Sequence, residues 1–191
     1  MQHLSSEQRA ALKQALVAAE KQTSARIAVA TVPISDHYKL YPLVYGGLVG
    51  LAVLASLAFL CPHWPLRLAF SITLVASGLT TFLLDFWPLR LAVVPAHAKQ
   101  WECWEVAHRA FASRVLAQNE RKTGILLFVS LGERYVEVVT DRDVDRHIPQ
   151  SVWDGLIQTF LAAARQGRAG EGLAEMVGAA AAVLAPHYPP G

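Results

Sequence analysis

The sequence predicts an α/β domain interrupted by a two-helix transmembrane hairpin. Three observations carry this reading: two long uncharged apolar stretches adjoin each other, short β-rich runs occur before and after them, and amphipathic helical patterns accompany those runs. Of 191 residues, 53% are hydrophobic and 17% are charged, an apolar excess over ordinary soluble domains. That excess is concentrated. Residues 40–66 contain no Asp, Glu, Lys or Arg, and after Arg67 residues 68–84 contain none either. Setting residues 40–94 aside leaves 136 residues with 29 of the 32 charges, enough chain for one compact domain with a core. The expected organisation is therefore 1–39 as the first helix and strand, 40–94 as the hairpin, and 95–191 as the rest of the domain.

The composition excludes disorder, collagen-like repeats and a disulfide scaffold, since the only cysteines are Cys61 and Cys103. No CxxC pairing is present, which points to free thiols in a reducing compartment. A net charge of +2 with 15 acidic residues gives no basic stripe, so nucleic acid is not expected as a partner.

The amino-terminal segment carries Glu7, Arg9 and Lys13 with no short apolar run, so it reads as a helix and not as a signal peptide. Ser5 and Gln8 offer a capping box, and Leu12, Ala15, Leu16 and Ala19 form one apolar stripe. Thr23 and Ser24 end it, and residues 26–33 are a β-branched run read as a strand. The apolar segments 41–60 and 66–84 follow, separated by Cys61-Pro62-His63-Trp64-Pro65. Each matches the roughly 20 residues that cross a bilayer core, and the two prolines make a tight turn. Tyr41, Tyr45, Trp64, Phe86 and Trp87 lie near the segment ends, where amphipathic rings prefer the interface. Asp85, at the end of the second segment, is placed at the water boundary.

After Pro95 a helix is expected in which Trp101, Trp104, His108, Phe111 and Val115 share the apolar face, with Cys103 off it. His108 on that face reads as a satisfied boundary residue. Residues 125–131 and 135–140 read as two strands joined through Gly132-Glu133-Arg134, with Gly in the turn. The first is apolar throughout and should be central, whereas Glu137 gives the second a polar side. Ser151 and Asp154 are expected to cap a helix carrying Trp153, Ile157, Phe160 and Ala164, stopped by Gly167. Leu173, Met176, Val177, Ala180 and Leu184 line a last helix.

One acidic cluster stands out: Asp141, Asp143 and Asp145, directly after a strand and interleaved with Arg142 and Arg146. It begins like a calcium loop, but Arg146 stands where Gly is needed and Val152 where a bidentate Glu would sit. Asp141 and Asp143 also have the spacing of an aspartyl-nucleophile phosphatase, with Asp145 in place of the hydroxyl or apolar residue that should follow. The bland alternative is a solvated, self-paired loop. The histidines are scattered singly, and neither GxSxG nor a Gly-rich phosphate loop occurs.

The run Lys122-Thr123-Gly124-Ile125-Leu126-Leu127-Phe128-Val129-Ser130-Leu131-Gly132-Glu133-Arg134-Tyr135-Val136-Glu137-Val138-Val139-Thr140-Asp141 resembles the TPM domain family, which includes thylakoid phosphatase-like, photosystem repair and receptor-auxiliary proteins. Val144, Pro149, Trp153, Gly167, Gly172-Leu173 and Pro186-His187-Tyr188-Pro189 resemble its trailing motifs, and residues 24–33 its first strand. The likeness covers about residues 5–39 and 96–190, and is greatest to small bacterial members with an inserted helical hairpin. It implies an α-β-α sandwich around a small mixed sheet. It also implies a divalent cation such as calcium near Asp141, the one site residue that the resemblance carries across; Asp143, which stands where the family has Gly, and Asp145 are candidate ligands from the acidic cluster itself.

The functional expectation is a bacterial inner-membrane protein whose soluble domain and termini face the cytoplasm, its partners being the lipid bilayer and another membrane protein that it binds or stabilises. The alternative is a metal-dependent phosphatase using Asp141, Asp143 and Asp145.

Overall fold

A computed structural model describes residues 5–33, 40–86, 89, 94–117 and 123–190. The chain divides into two compact units, one of residues 1–35 with 101–191 and the other of residues 36–100. In the first, helix α1 (Ser6–Glu20) leads to strand β1 (Arg26–Val32). Two helices, α2 (Leu40–Leu60) and α3 (Leu66–Leu84), form most of the second. There follow α4 (Ala96–Phe111) with a π-helical turn at Ala112–Leu116, β2 (Gly124–Ser130), β3 (Tyr135–Thr140), α5 (Arg142–His147), α6 (Gln150–Arg165) and α7 (Ala169–Leu184). This is a helix-rich α/β chain around one small mixed sheet.

The sheet runs β1-β2-β3, with β1 parallel and β3 antiparallel to the central β2. A parallel neighbour requires a long crossover, and here the crossover from β1 to β2 contains α2, α3 and α4. Every residue of β2 is buried, because helices cover both faces of the sheet and leave its central strand no polar side. On one face Ile27, Ile125, Leu127 and Val138 pack with Ala19 of α1, Trp153 and Phe160 of α6, and Leu173 and Val177 of α7. On the other, Ala30, Leu126, Phe128 and Val139 pack with Cys103, Ala107, Phe111 and Val115. The predicted capping box is present: Ser5 Oγ accepts from Gln8 N–H at 3.1 Å, and Ser5 N–H donates to Gln8 Oε1 at 2.9 Å.

Several local expectations need correction. On α4 the buried residues are Cys103, Ala107 and Phe111, while Trp101 and Trp104 are 59% and 41% exposed. Small side chains at 103 and 107 let the helix lie close to the sheet, where two indoles would hold it off. The π turn, in which Ala117 N–H donates to Ala112 O at 3.0 Å, shifts the helical phase and returns Val115 to the core. Gly132 does lie in the β2–β3 turn, where the residue with positive φ is Arg134, at 54°. Helix α6 starts after Pro149 with no side-chain cap, so Ser151 and Asp154 lie inside it. Proline there fixes a helix-compatible φ and lacks the N–H that a cap would satisfy. Gly167, at φ 80°, does stop that helix.

In the second unit, α2 and α3 run in opposite directions and meet through small residues. A side chain at Gly46 would place its first carbon 2.0 Å from Thr81 Oγ1, and one at Gly50 would lie 3.1 Å from Ser77 Cβ. Gly46 and Gly50 thus form a smooth face four residues apart, against which Thr73, Ser77 and Thr81 of α3 are seated. Thr73 and Thr81 each turn their hydroxyl to the carbonyl four residues back, at 2.9 Å, so neither leaves a bare donor in this apolar pair. Both helices are long and apolar enough to cross a membrane, yet Pro42, Gly46 and Gly50 are the buried residues of α2 and α3 has none among the described residues.

Candidate functional site

The three acidic residues predicted as a site lie where β3 ends and α5 begins, and what was read as a loop at 142–147 is a short helix. Asp141 is its N-cap. One carboxylate oxygen accepts from Asp143 N–H at 2.7 Å and Val144 N–H at 2.8 Å, satisfying donors that the first helical turn leaves open. The other accepts from Gly124 N–H at 2.6 Å, while Asp141 N–H donates back to Gly124 O at 3.3 Å. Both oxygens of Asp141 are therefore engaged by backbone. This joins the start of β2 to the end of β3 and the start of α5.

Asp143 and Asp145 turn elsewhere. Asp143 Oδ2 accepts from the Tyr188 hydroxyl at 2.9 Å, and Asp145 accepts a short hydrogen bond from Thr140 Oγ1. Among the described residues no group of three or more His, Cys, Asp or Glu side chains is arranged to hold a metal ion. The donor set fits a helix cap with two lateral hydrogen bonds, and offers a cation no oxygen of Asp141 free of a backbone partner.

Sequence reasoning gave Tyr188 no role, yet it closes this end of the sheet. Its hydroxyl reaches Asp143, while its carbonyl accepts from Thr23 Oγ1 at 2.8 Å and Ser24 N–H at 3.0 Å. Burial and the Asp143 carboxylate both raise the pKa of the Tyr188 phenol, so it stays a neutral donor. His147 joins the group, its Nδ1 lying 2.8 Å from Asp143 O and its ring 5.5 Å from that of His187. The placement of His147 four residues after Asp143 was the available signal, since that spacing returns to one helix face.

A second polar group lies under α4. Glu137, expected to give β3 a polar side, shares the sheet face of Tyr135 and Val139. The Tyr135 hydroxyl donates to its carboxylate at 2.9 Å. Burial raises the Glu137 pKa, partly opposed by that hydrogen bond and by the charge of His108. His108 is satisfied locally, with Nδ1 at 2.9 Å from Trp104 O and its ring 4.1 Å from that indole, which in turn stacks on Trp101 at 5.3 Å. Cys61 and Cys103 form no disulfide with each other, and Cys103 is fully buried.

Comparison with known proteins places this architecture. The chain is similar in fold to the NMR structure of the BA42 protein from the psychrophilic bacterium Bizionia argentinensis, with a TM-score of 0.59. The two share 15% identity, and the match covers 100% of this chain and 87% of that one; at that identity the likeness concerns fold alone. No curated protein matches the chain at comparable stringency. The TPM domain model matches residues 88–183, a span that holds Gly124, Asp141, helix α6 and most of α7. With half of its residues inside that match, the chain belongs to the TPM domain family.

Proposed function

We propose that this chain is a membrane-anchored TPM-like accessory module: residues 40–84 form a transmembrane hairpin in the bacterial inner membrane, and the domain binds or stabilises another membrane protein. One observation carries the anchoring. Helices α2 and α3 bury glycines against small polar residues and leave Leu43, Leu48, Leu51, Phe59, Phe70 and Phe82 exposed. A core helix of a soluble protein would bury such side chains, at roughly 1.5–3 kcal/mol each. In lipid their exposure is the favoured state, and the helical backbone satisfies its own polar groups.

The charge pattern supports both termini on the cytoplasmic side. Lys21, Arg26 and Lys39 precede the hairpin and Arg90, Lys99 and Arg109 follow it, against Arg67 alone beside the turn. The engagement of Asp141 by three backbone N–H groups supports a binding role over hydrolysis, because a phosphatase needs a free nucleophile or metal-bound water plus groups that neutralise transition-state charge.

The test is alkaline carbonate extraction of native membranes followed by a phosphate-ester assay on the purified full chain with calcium or magnesium. The account expects the chain in the membrane pellet and no turnover above that of an Asp141→Asn, Asp143→Asn double variant. A chain released to the supernatant contradicts the anchor. Turnover abolished by the double substitution replaces the accessory reading with the metal-dependent phosphatase.

A further inference from the structure

The outer edge of β1 combines three features that the cap at Asp141 does not use. The first is backbone. Arg26 N–H donates to Thr123 O, and Leu131 N–H donates to Val32 O, so the even-numbered residues of β1 turn their amide groups to β2. Ile27, Val29 and Thr31 therefore turn theirs away from the sheet, since β1 is an outer strand. The second is a groove of about 380 Å³ along this edge, floored by Leu12, Leu16, Val29 and Leu131 and flanked by Arg9 and Lys13, with no acidic residue in its lining. The third is unspent positive charge. Arg9, Lys13 and Arg114 form no ion pair among the described residues, and Arg114 Nη1 instead donates to Val29 O at 2.8 Å, on the outward side of the strand.

We propose that the β1 edge receives an extended acidic segment of a partner protein as an added strand. Main-chain hydrogen bonds to Ile27, Val29 and Thr31 supply the affinity of such an addition, and alternate side chains supply its specificity. Apolar side chains of the segment enter the groove between α1 and β1, and its carboxylates meet Arg9 and Lys13. Arg114 covers the Val29 carbonyl while the edge is empty, then turns to a carboxylate of the incoming strand. Charge complementarity selects an acidic occupant. The two-residue period of the outward amides selects an extended polypeptide over a lipid headgroup or free phosphate, which would use the cations and leave those amides and the apolar floor idle. The inference rests on the reading of the domain as an interaction module, and names the surface and partner chemistry for it.

The probe is a fluorescein-labelled octapeptide alternating Glu and Val, titrated into the full chain in phosphatidylcholine nanodiscs. Two comparators are used: the same peptide with two valines replaced by proline, which keeps its charge but cannot complete a ladder, and monomeric dihexanoyl phosphatidylglycerol as a competitor. The proposal expects the alternating peptide to bind at least tenfold more tightly than the proline form, with slowed amide exchange at Val29 and Thr31. An Arg9→Gln, Lys13→Gln variant, changed at two exposed positions, should lose at least tenfold in affinity while unfolding as the parent does. Equal affinity for the two peptides, displacement by the lipid without amide protection, or no binding overturns it; the last leaves the three cations as guards of an outer strand. Carbonate extraction is indifferent to these results. A chain that stays in the membrane but fails the peptide test refutes the edge and spares the anchor, and release from the membrane does the reverse.

Discussion

Gly124 and Asp141 hold each other through two hydrogen bonds, the Gly124 N–H donating to the Asp141 carboxylate and the Asp141 N–H donating to the Gly124 carbonyl. Only glycine fits at 124, because a Cβ there would lie 2.3 Å from Arg26 O and 2.9 Å from Val115 Cγ1. The glycine lets β1 and the π turn close over the first residue of β2, and the aspartate ties that residue to α5. The most conspicuous acidic residue in the sequence is thus a junction of the fold.

Asp141→Ala removes the acceptor for three N–H groups and should destabilise the domain by about 1–3 kcal/mol, the range for lost caps and unsatisfied buried donors. Asp141→Asn keeps a good N-cap oxygen but presents an amide to Gly124 N–H or to the helix, so a smaller loss is expected. Amide hydrogen exchange of the full chain in micelles reads both, as faster exchange at Gly124, Asp143 and Val144. Unchanged protection in the alanine variant would contradict the junction.

Glu137 predicts a pH dependence whose sign follows from burial. Its folded-state pKa is raised above the ordinary 4.5, so above that value the folded chain holds a proton that the unfolded chain has released. Stability then falls as pH rises through the interval between the two pKa values. Thermal unfolding of the full chain in micelles should show this fall, and Glu137→Gln should flatten it. An equal slope in the variant would assign the dependence to another group.

Gly46 should tolerate no side chain while Thr81 faces it. Gly46→Val forces α2 and α3 apart where Gly46 meets Thr81, and the expected result is loss of their close packing, seen as weaker cross-linking between cysteines introduced at Gly50 and Ser77, which face each other across the pair. Gly47, with nothing within 4 Å of the Cβ position, is the control, and Gly47→Val should leave the cross-link intact. Equal effects at both positions would contradict the packing.

Legibility in the sequence followed the range of the interactions. The two long apolar helices, the central β2 and the capping box at Ser5 rest on local apolarity, alternation or a three-residue spacing, and each could be read directly. Asp141 was legible as part of a cluster but not as a cap for β2, since its partner Gly124 lies 17 residues away. The buried face of α4 was misread because Cys103 and Ala107 look inconspicuous beside two tryptophans, and because a π turn inside the pattern breaks its period. Tyr188 reaches Asp143 across 45 residues, with no local pattern to announce the contact. The β1 edge needed the register with β2 before its outward amides could be assigned.

The native Cys61 gives the most direct test of the anchor. It is free and follows α2 at the turn into α3, whereas Cys103 is fully buried. Spheroplasts expressing the full chain are treated with a membrane-impermeant maleimide before or after lysis. The account predicts that Cys61 is labelled in intact spheroplasts, with the turn on the outer side of the membrane, and that Cys61→Ser removes the label. Labelling of Cys61 only after lysis would contradict a hairpin that crosses the membrane with both termini in the cytoplasm.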